Sequence, residues 1–460
     1  MIDLRPPGAV RWICRELEEA GYETWAVGGA VRDALAGRPS GDWDLATAAP
    51  PKRVRRIFRR TVPIGIDHGT VGVIAGDGVM YEVTTFRRDV ETTGRHAVVA
   101  FADTLDDDLA RRDFTINAVA WHPLRKVLHD PYDGAADLEK GILRTVGRPE
   151  ERFAEDYLRV LRALRFAGTF RLEMEGDTWR ALVGAVARLD VLSPERVREE
   201  MEKILTGREP PSAALALYAA SGALAHRYPE LDRQVGWAQE GREGDLWSHA
   251  LRTVDLLAPH RPALRWAALL AGAGEPDEGE PTAAGGDTPP VPSPGRRGLL
   301  RAAALLERLR SSNARIQQVA GLVEFVRRPP GAEAPDADLR RWLSEVGRER
   351  LPDLIRVWIA ELRSDELVGQ RGEGAWDRDK LEHLVRRLRA TARAPVALTT
   401  DELAFSGRDL IQMGYRPGPR FGELLRWLLD RVLDDPTLND RETLAAEAEA
   451  WMAARDEEVG

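Results

Sequence analysis

The sequence predicts an α+β protein, a mixed α/β head followed by a long all-helical remainder. Two observations carry this. Over the first 125 or so residues, stretches of strand-like alternation are interleaved with helical ones. From about residue 137 onward strand signals vanish, and apolar residues recur at three- and four-residue spacing. The chain has 460 residues, which suits three or four folding units at roughly 100–200 residues each.

Four segments of the head read as strands by alternation and β-branched content: 22–27 (YETWAV), 43–47 (WDLAT), 70–75 (TVGVIA) and 79–86 (VMYEVTTF). Asp77-Gly78, between the last two, is a hairpin signal. Helical stretches follow the first two strands. The second of these, 50–60 (PPKRVRRIFRR), sets Val54, Ile57 and Phe58 toward a core and six cations, Lys52 to Arg60, outward. Such a face is ordinarily just solvated. Six cations without one acid, in a chain of net charge −9, point to a phosphate-contacting surface. Beyond the head, helical periodicity marks 154–168, 193–205, 297–310, 379–390 and 420–433. Ser193-Pro194-Glu195 opens one of these with a cap and a first-turn proline. Residues 272–297, rich in Gly and Pro, read as a flexible loop or linker, with a second break near 391–401. Trp342 and Trp358 lie on helical periods and read as core, an RNA-stacking surface being the alternative.

Composition narrows the function classes. Hydrophobic residues make up 43% and charged residues 31%, the balance of a globular chain. No apolar run approaches the ~18–20 residues of a membrane span. The N-terminal stretch lacks an apolar signal core, and Cys14 is the sole cysteine, so no internal disulfide or multi-cysteine metal site exists. A cytoplasmic location is expected.

The densest chemistry lies in GGAVRDALAGRPSGDWDLAT (28–47). Gly28 and Gly29, after a strand and before a helix, let backbone N–H groups approach an anion. Arg32 on the first helical turn adds a charged donor for phosphate. Asp42 and Asp44, two apart at the start of a strand, share one face with Trp43 on the other. Two such carboxylates repel unless a cation lies between them, and they suit Mg²⁺ completed by substrate oxygens. A two-metal site needs a third carboxylate. Glu82, an acid within an apolar strand, is the candidate, a surface acid on an edge strand being the bland alternative.

GGAVRD with DWDLAT, then IGIDHGTVGV, RRDFTINAVAW, DPYDGAADLEKGILRTVG and EDYLRVLRALRFAG resemble, in order and rough spacing, the class II tRNA nucleotidyltransferases, the CCA-adding enzymes of the DNA polymerase β superfamily, which also include bacterial poly(A) polymerases. The resemblance is dense over 20–210 and resumes at 406–444. It implies a polymerase β-like catalytic head with a mixed sheet over 1–138 and an all-α neck, body and tail over 139–208, 209–390 and 391–460. It implies addition of CCA to tRNA 3′ ends from CTP and ATP on two Mg²⁺ ions held by Asp42 and Asp44, with Glu82. CC-adding, A-adding and poly(A)-adding enzymes are the alternatives within the family. A non-catalytic RNA-binding protein and an HD-type phosphatase are those outside it.

Physical need agrees with this resemblance. Asp156 and Arg159, read as three apart on one helix, share a face. An Asp accepts from an exocyclic amine and an Arg donates to a ring nitrogen, so the pair takes C and A and refuses U and G. The resemblance further implies triphosphate contact by Arg111 and Arg112, a ribose hydroxyl on Asp113, an orienting Asn117, and Arg162 on the nucleotide face. The helical body is expected to grip tRNA by shape and phosphates, with Lys52 to Arg60 supplying part of the grip. His68 reads as a loop-ordering residue. His249 stands where relatives carry an HD segment, but Ala271-Gly272 replaces the His-Asp, so no phosphohydrolase metal site is expected. Between Phe86 and Arg111 the family's flexible loop is slightly short, keeps Arg95-His96 and lacks an aromatic.

Overall fold

A computed structural model describes residues 4–39, 41–65, 69–92, 97–238, 244–275, 292–370 and 375–457. The chain forms two compact units, Met1–Pro229 and Glu230–Gly460. His68 and Arg95-His96 lie outside the described residues.

The first unit opens with α1 (Gly8–Glu19), β1 (Thr24–Val27), α2 (Gly29–Leu35), β2 (Asp44–Thr47) and α3 (Pro51–Ile57). Next come β3 (Thr61–Gly65), β4 (Thr70–Ile74), β5 (Met80–Thr85), β6 (Arg87–Thr92), β7 (Ala97–Phe101) and α4 (Leu105–Ala110). A 3-10 turn, Thr115–Asn117, leads into β8 (Ala120–His122), β9 (Val127–His129) and α5 (Gly134–Lys140). The unit continues through β10 (Ile142–Leu143), α6 (Pro149–Glu155), α7 (Leu158–Phe170), β11 (Glu173–Met174), α8 (Gly176–Ala185), α9 (Pro194–Thr206) and α10 (Pro211–Ala220).

Seven strands form one mixed sheet in the order β3-β4-β5-β2-β1-β8-β9. Only β2 and β5 in it run parallel, with Leu45 opposite Val83. Strand alternation sorts the side chains. Leu45, Val71, Val73, Tyr81 and Val83 are buried against Val10, Ile13 and Leu17 of α1 and against Val54 and Phe58 at α3. The opposite face carries Trp25, Val27 and Ala46, which pack with Phe86, Leu105 and Leu109. The same alternation turns Asp44 and Glu82 toward this second face, away from α1 and α3.

Four sequence expectations change. The strand begins at Asp44, so Asp42 and Trp43 lie just ahead of it; Trp43 is buried in the α1 and α3 core, opposite Asp44, as expected, and Asp42 is exposed. Strands do not vanish after 137, because β10 and β11 pair in parallel. Residues 154–168 are not one helix: α6 ends at Glu155, and Asp156 is extended (φ −154, ψ 106). Its side chain accepts from the Leu158 N–H at 3.1 Å, a local bond that replaces the helical one. Lastly, the Gly/Pro-rich segment is shorter than 272–297, since a helix starts at Pro294 behind the Ser293 cap. Its middle, 276–291, lies outside the described residues.

The second unit is helical among its described residues, from Leu246–Asp255 to Arg441–Glu457. Trp342 and Trp358 are core, as expected, with ring centroids 5.7 Å apart. His249 is buried, with Nδ1 3.4 Å from Asp365 Oδ1. Among the described residues no helix is long and apolar enough to cross a membrane.

Candidate active site

A cleft of about 610 Å³ in the first unit gathers residues from β1, β2, β5, α2, α7 and α9 and from the Arg111–Asn117 turn. Gly28, Gly29, Arg32, Asp44, Glu82, Arg111, Arg112, Asp113, Asn117, Asp156, Arg159 and Arg162 all line it. Asp42 does not; it is exposed, two residues ahead of Asp44.

At one end stand carboxylates without partners. The β2–β5 register sets Asp44 beside Glu82. No hydrogen bond or salt bridge among the described residues holds Asp42, Asp44 or Glu82. Burial, and then the charges of Asp42 and Glu82, push the Asp44 carboxyl up to about 6, although Arg112 opposes them. Among the described residues no three acids, histidines or cysteines converge into a closed metal cage. The donor chemistry nevertheless fits a hard cation: oxygen ligands only, unpaired, mutually repelling, with positions left for substrate oxygens.

Gly28 caps α2 at φ 74, and a Cβ there would lie 2.8 Å from Arg112 Nη1. Any side chain is strained at that φ, and a Cβ would also press on the end of the Arg112 guanidinium, so the position calls for glycine. Arg112 donates to Asp108 Oδ2 at 3.1 Å and to the Asn117 carbonyl at 3.3 Å.

At the other end every carboxylate is matched. Asp113 is buried, and burial alone would raise it. Arg162, which donates Nε at 2.8 Å, and Asn117, which donates Nδ2 at 2.8 Å, instead hold it down to about 2. Asn117 also accepts from Arg32 Nη1 at 2.7 Å. Arg32 donates further to Asp33 and sits over the rings of Phe166 and Phe170. Asp156 accepts two parallel bonds from Arg196, at 3.1 and 2.6 Å. Arg159 reaches the carbonyls of Arg152 at 3.0 Å and Arg111 at 2.9 Å, and Glu155. Buried Glu200 joins Arg165 and Lys203, each at 2.7 Å.

Sequence reasoning missed Arg196, Glu200, Lys203 and Asp108, and read Arg165, on the same helix as Arg162, as packing only its stem. The cap at Ser193, which accepts from the Arg196 N–H, marked the right helix. Nothing local signalled that Arg196 would meet Asp156, 40 residues earlier. The Lys52–Arg60 run is absent from the cleft; α3 covers the opposite sheet face.

Three family models match parts of the chain. They are described as "Poly A polymerase head domain" over 24–144, "Probable RNA and SrmB- binding site of polymerase A" over 171–235, and "tRNA nucleotidyltransferase domain 2" over 299–448. A CCA-adding enzyme of Lactobacillus delbrueckii subsp. bulgaricus is 31% identical over 435 residues, covering 94% of this chain and 95% of the relative. One from Pediococcus pentosaceus is 32% identical over 434 residues, with 94% of each chain covered. The crystal structure of the Bacillus stearothermophilus CCA-adding enzyme in complex with CTP is 30% identical, covers 99% of this chain and 100% of that one, and superposes with a TM-score of 0.70. With that identity sustained along nearly the whole length of such relatives, the chain belongs to the CCA-adding enzyme family of nucleotidyltransferases.

Proposed function

We propose that this chain adds C, C and A to tRNA 3′ ends from CTP and ATP, releasing pyrophosphate. The observation that carries the reading is the cleft's polarity: unpaired Asp44 and Glu82 at one end, arginine-fixed Asp156 and Arg159 at the other. Phosphate chemistry belongs at the first end and base choice at the second.

The family's nucleotidyltransferases use a divalent metal. Asp42 and Asp44, with Glu82, would hold two Mg²⁺, which when bound lower the pKa of the RNA 3′-hydroxyl and neutralise the departing pyrophosphate. The chain's own residues do the rest. Gly28 and Gly29 open the backbone to the triphosphate, and Arg111 and Arg112 supply charge beside it, with Arg32 bracing the wall. Asp113 offers four acceptor sites, of which Phe114 N–H, Asn117 and Arg162 take three. The remaining site accepts a ribose hydroxyl, which selects ribonucleotides. Asp156 likewise spends three sites on Arg196 and Leu158. Its fourth accepts the exocyclic amine of cytosine or adenine while Arg159 donates to the ring nitrogen. Uracil and guanine present a carbonyl to Asp156 and leave it unmatched.

The reading extends to organisation. Residues 1–138 act as the catalytic head and 139–208 as the base-reading neck, while the 209–390 body and 391–460 tail grip tRNA. The reaction runs in the cytoplasm. The test is extension of a tRNA lacking its CCA with each nucleotide supplied singly and then with CTP and ATP together. Two additions from CTP, one further from ATP and none from UTP or GTP are expected. A run of A residues, or a stop after C or CC with ATP present, overturns CCA addition in favour of the family's other activities.

A further inference from the structure

A second cleft, of about 810 Å³, lies between the start of α1, the end of α3 and the β4–β5 turn. Its walls are apolar: Trp12, Ile57, Phe58, Ile74 and Ala75. Trp12 meets Phe58 edge-on, with centroids 5.3 Å apart at 72°, and stays 37% exposed. Arg59 and Arg60 line the rim. The one acid there, Asp77, is already occupied by the Val79 N–H at 3.0 Å and the Tyr81 hydroxyl at 2.9 Å.

The rim continues into the cationic face of α3. Lys52, Arg53, Arg55, Arg56, Arg59 and Arg60 are all exposed, and among the described residues none has an ion pair or hydrogen bond through its side chain. This is unusual here, since most other arginines of the first unit are paired and the chain's net charge is −9. On α3 itself Lys52 lies three and four residues from Arg55 and Arg56, and Arg53 three from Arg56, like-charge spacings that cost helix stability. Because α1 and α3 cover the sheet face opposite Asp44 and Glu82, this patch faces away from the catalytic cleft.

We propose that the Trp12 cleft and the α3 cations form a second RNA site, which binds single-stranded RNA independently of the catalytic cleft. Charge complementarity demands a polyanion, and the arginine forks match phosphate oxygens. The exposed indole beside an apolar slot gives each base along a strand a face to stack on, next to cations spaced to meet its phosphates. Binding is therefore expected to tolerate any base sequence and to weaken with salt.

The test is fluorescence anisotropy of the full chain with a labelled oligouridylate of about 12 nucleotides, within the usual range of single-strand sites. Without an acceptor stem this probe is a poor tRNA mimic. Charge reversal of Arg53, Arg56 and Arg59 to Glu should weaken binding at least ~10-fold and flatten its salt dependence. Trp12→Ala should weaken it several-fold and leave the salt slope unchanged. Unchanged binding by the charge-reversed protein, with loss in Arg112→Ala, would move the RNA to the catalytic cleft and overturn the proposal. Equal affinity for a polyglutamate of matching charge would also overturn it, by showing that the patch reads charge alone. A circular-dichroism melt matching the parent's certifies that each variant is folded.

Discussion

The two ends of the catalytic cleft treat the same side chain in opposite ways. Asp44 sits half-buried beside two other acids and is pushed up to about 6, while Asp113, buried in the cleft wall, is held down to about 2. One end stores unbalanced negative charge and the other spends all of it. The difference teaches which part of the site is finished by the protein and which part awaits a partner. Base recognition needs acceptors fixed before the nucleotide arrives, so Asp156 and Asp113 are tied to arginines. Phosphate chemistry needs a cation that arrives with its own coordination demands, so Asp44 and Glu82 are left untied.

The largest effect should come from the untied end. Asp44→Ala should lower nucleotide incorporation by about 10³-fold or more, with tRNA affinity held within about twofold. Single-turnover extension and filter binding measure the two. Comparable activity in the variant would remove Asp44 from the chemistry. At the tied end the expected loss is smaller and changes kind. Asp156→Asn replaces an acceptor by a group that can also donate, so kcat/KM for CTP should fall about 100-fold while incorporation of UTP rises. A uniform loss for both nucleotides would mean that Asp156 only supports the fold. Arg196 acts through Asp156, as a positioning residue. Arg196→Ala should cost about tenfold in kcat/KM for CTP and narrow the preference for CTP over UTP. Arg196→Lys should not rescue it, because an ammonium keeps the charge and loses the paired donors. Full rescue by Lys would show that charge alone matters.

How far these ends were legible in the sequence follows the range of the contacts that build them. Gly28-Gly29, the hairpin at Asp77-Gly78 and the cap at Ser193 are local, and all stand where the residue types put them. The acids were legible by type but not by arrangement. Asp42 and Asp44 read as strand mates, whereas the sheet sets Asp44 against Val27 on one side and, one position ahead of the Leu45–Val83 pair, near the acid Glu82 on the other. Strand pairing between positions 38 apart leaves no periodic mark. Asp156 misled for a different reason. The apolar period runs smoothly through 154–168, while the break at Asp156 goes with its side chain's bonds to Leu158 N–H and to the distant Arg196. The short strands β10 and β11 were illegible because two residues cannot establish an alternation.

The sharpest form of the comparison is one substitution made at both ends and read as stability. In the parent, ionised Asp44 is a cost: its carboxyl is raised, so the folded state holds its proton more tightly than the unfolded chain does. That cost is absent below the ordinary Asp range and fully present above about pH 6. Asp44→Asn should therefore raise Tm at neutral pH in a chelating buffer, by about 2–4 °C if the relief is near 1 kcal/mol. Added divalent cation should then stabilise the parent and leave the variant where it is. Asp113 has the reverse sign. Its carboxyl is depressed, so its pairing with Arg162 contributes stability above the ordinary Asp range, lost as pH falls toward about 2. Asp113→Asn should lower Tm at neutral pH, with a gap to the parent that narrows under acid, measured by differential scanning calorimetry from pH 7 downward. Opposite signs for the same change, some residues apart in one cleft, would establish that its two ends are built on opposite electrostatic principles. A loss of stability at both would mean that Asp44 is as well partnered as Asp113, and the untied end would lose its basis.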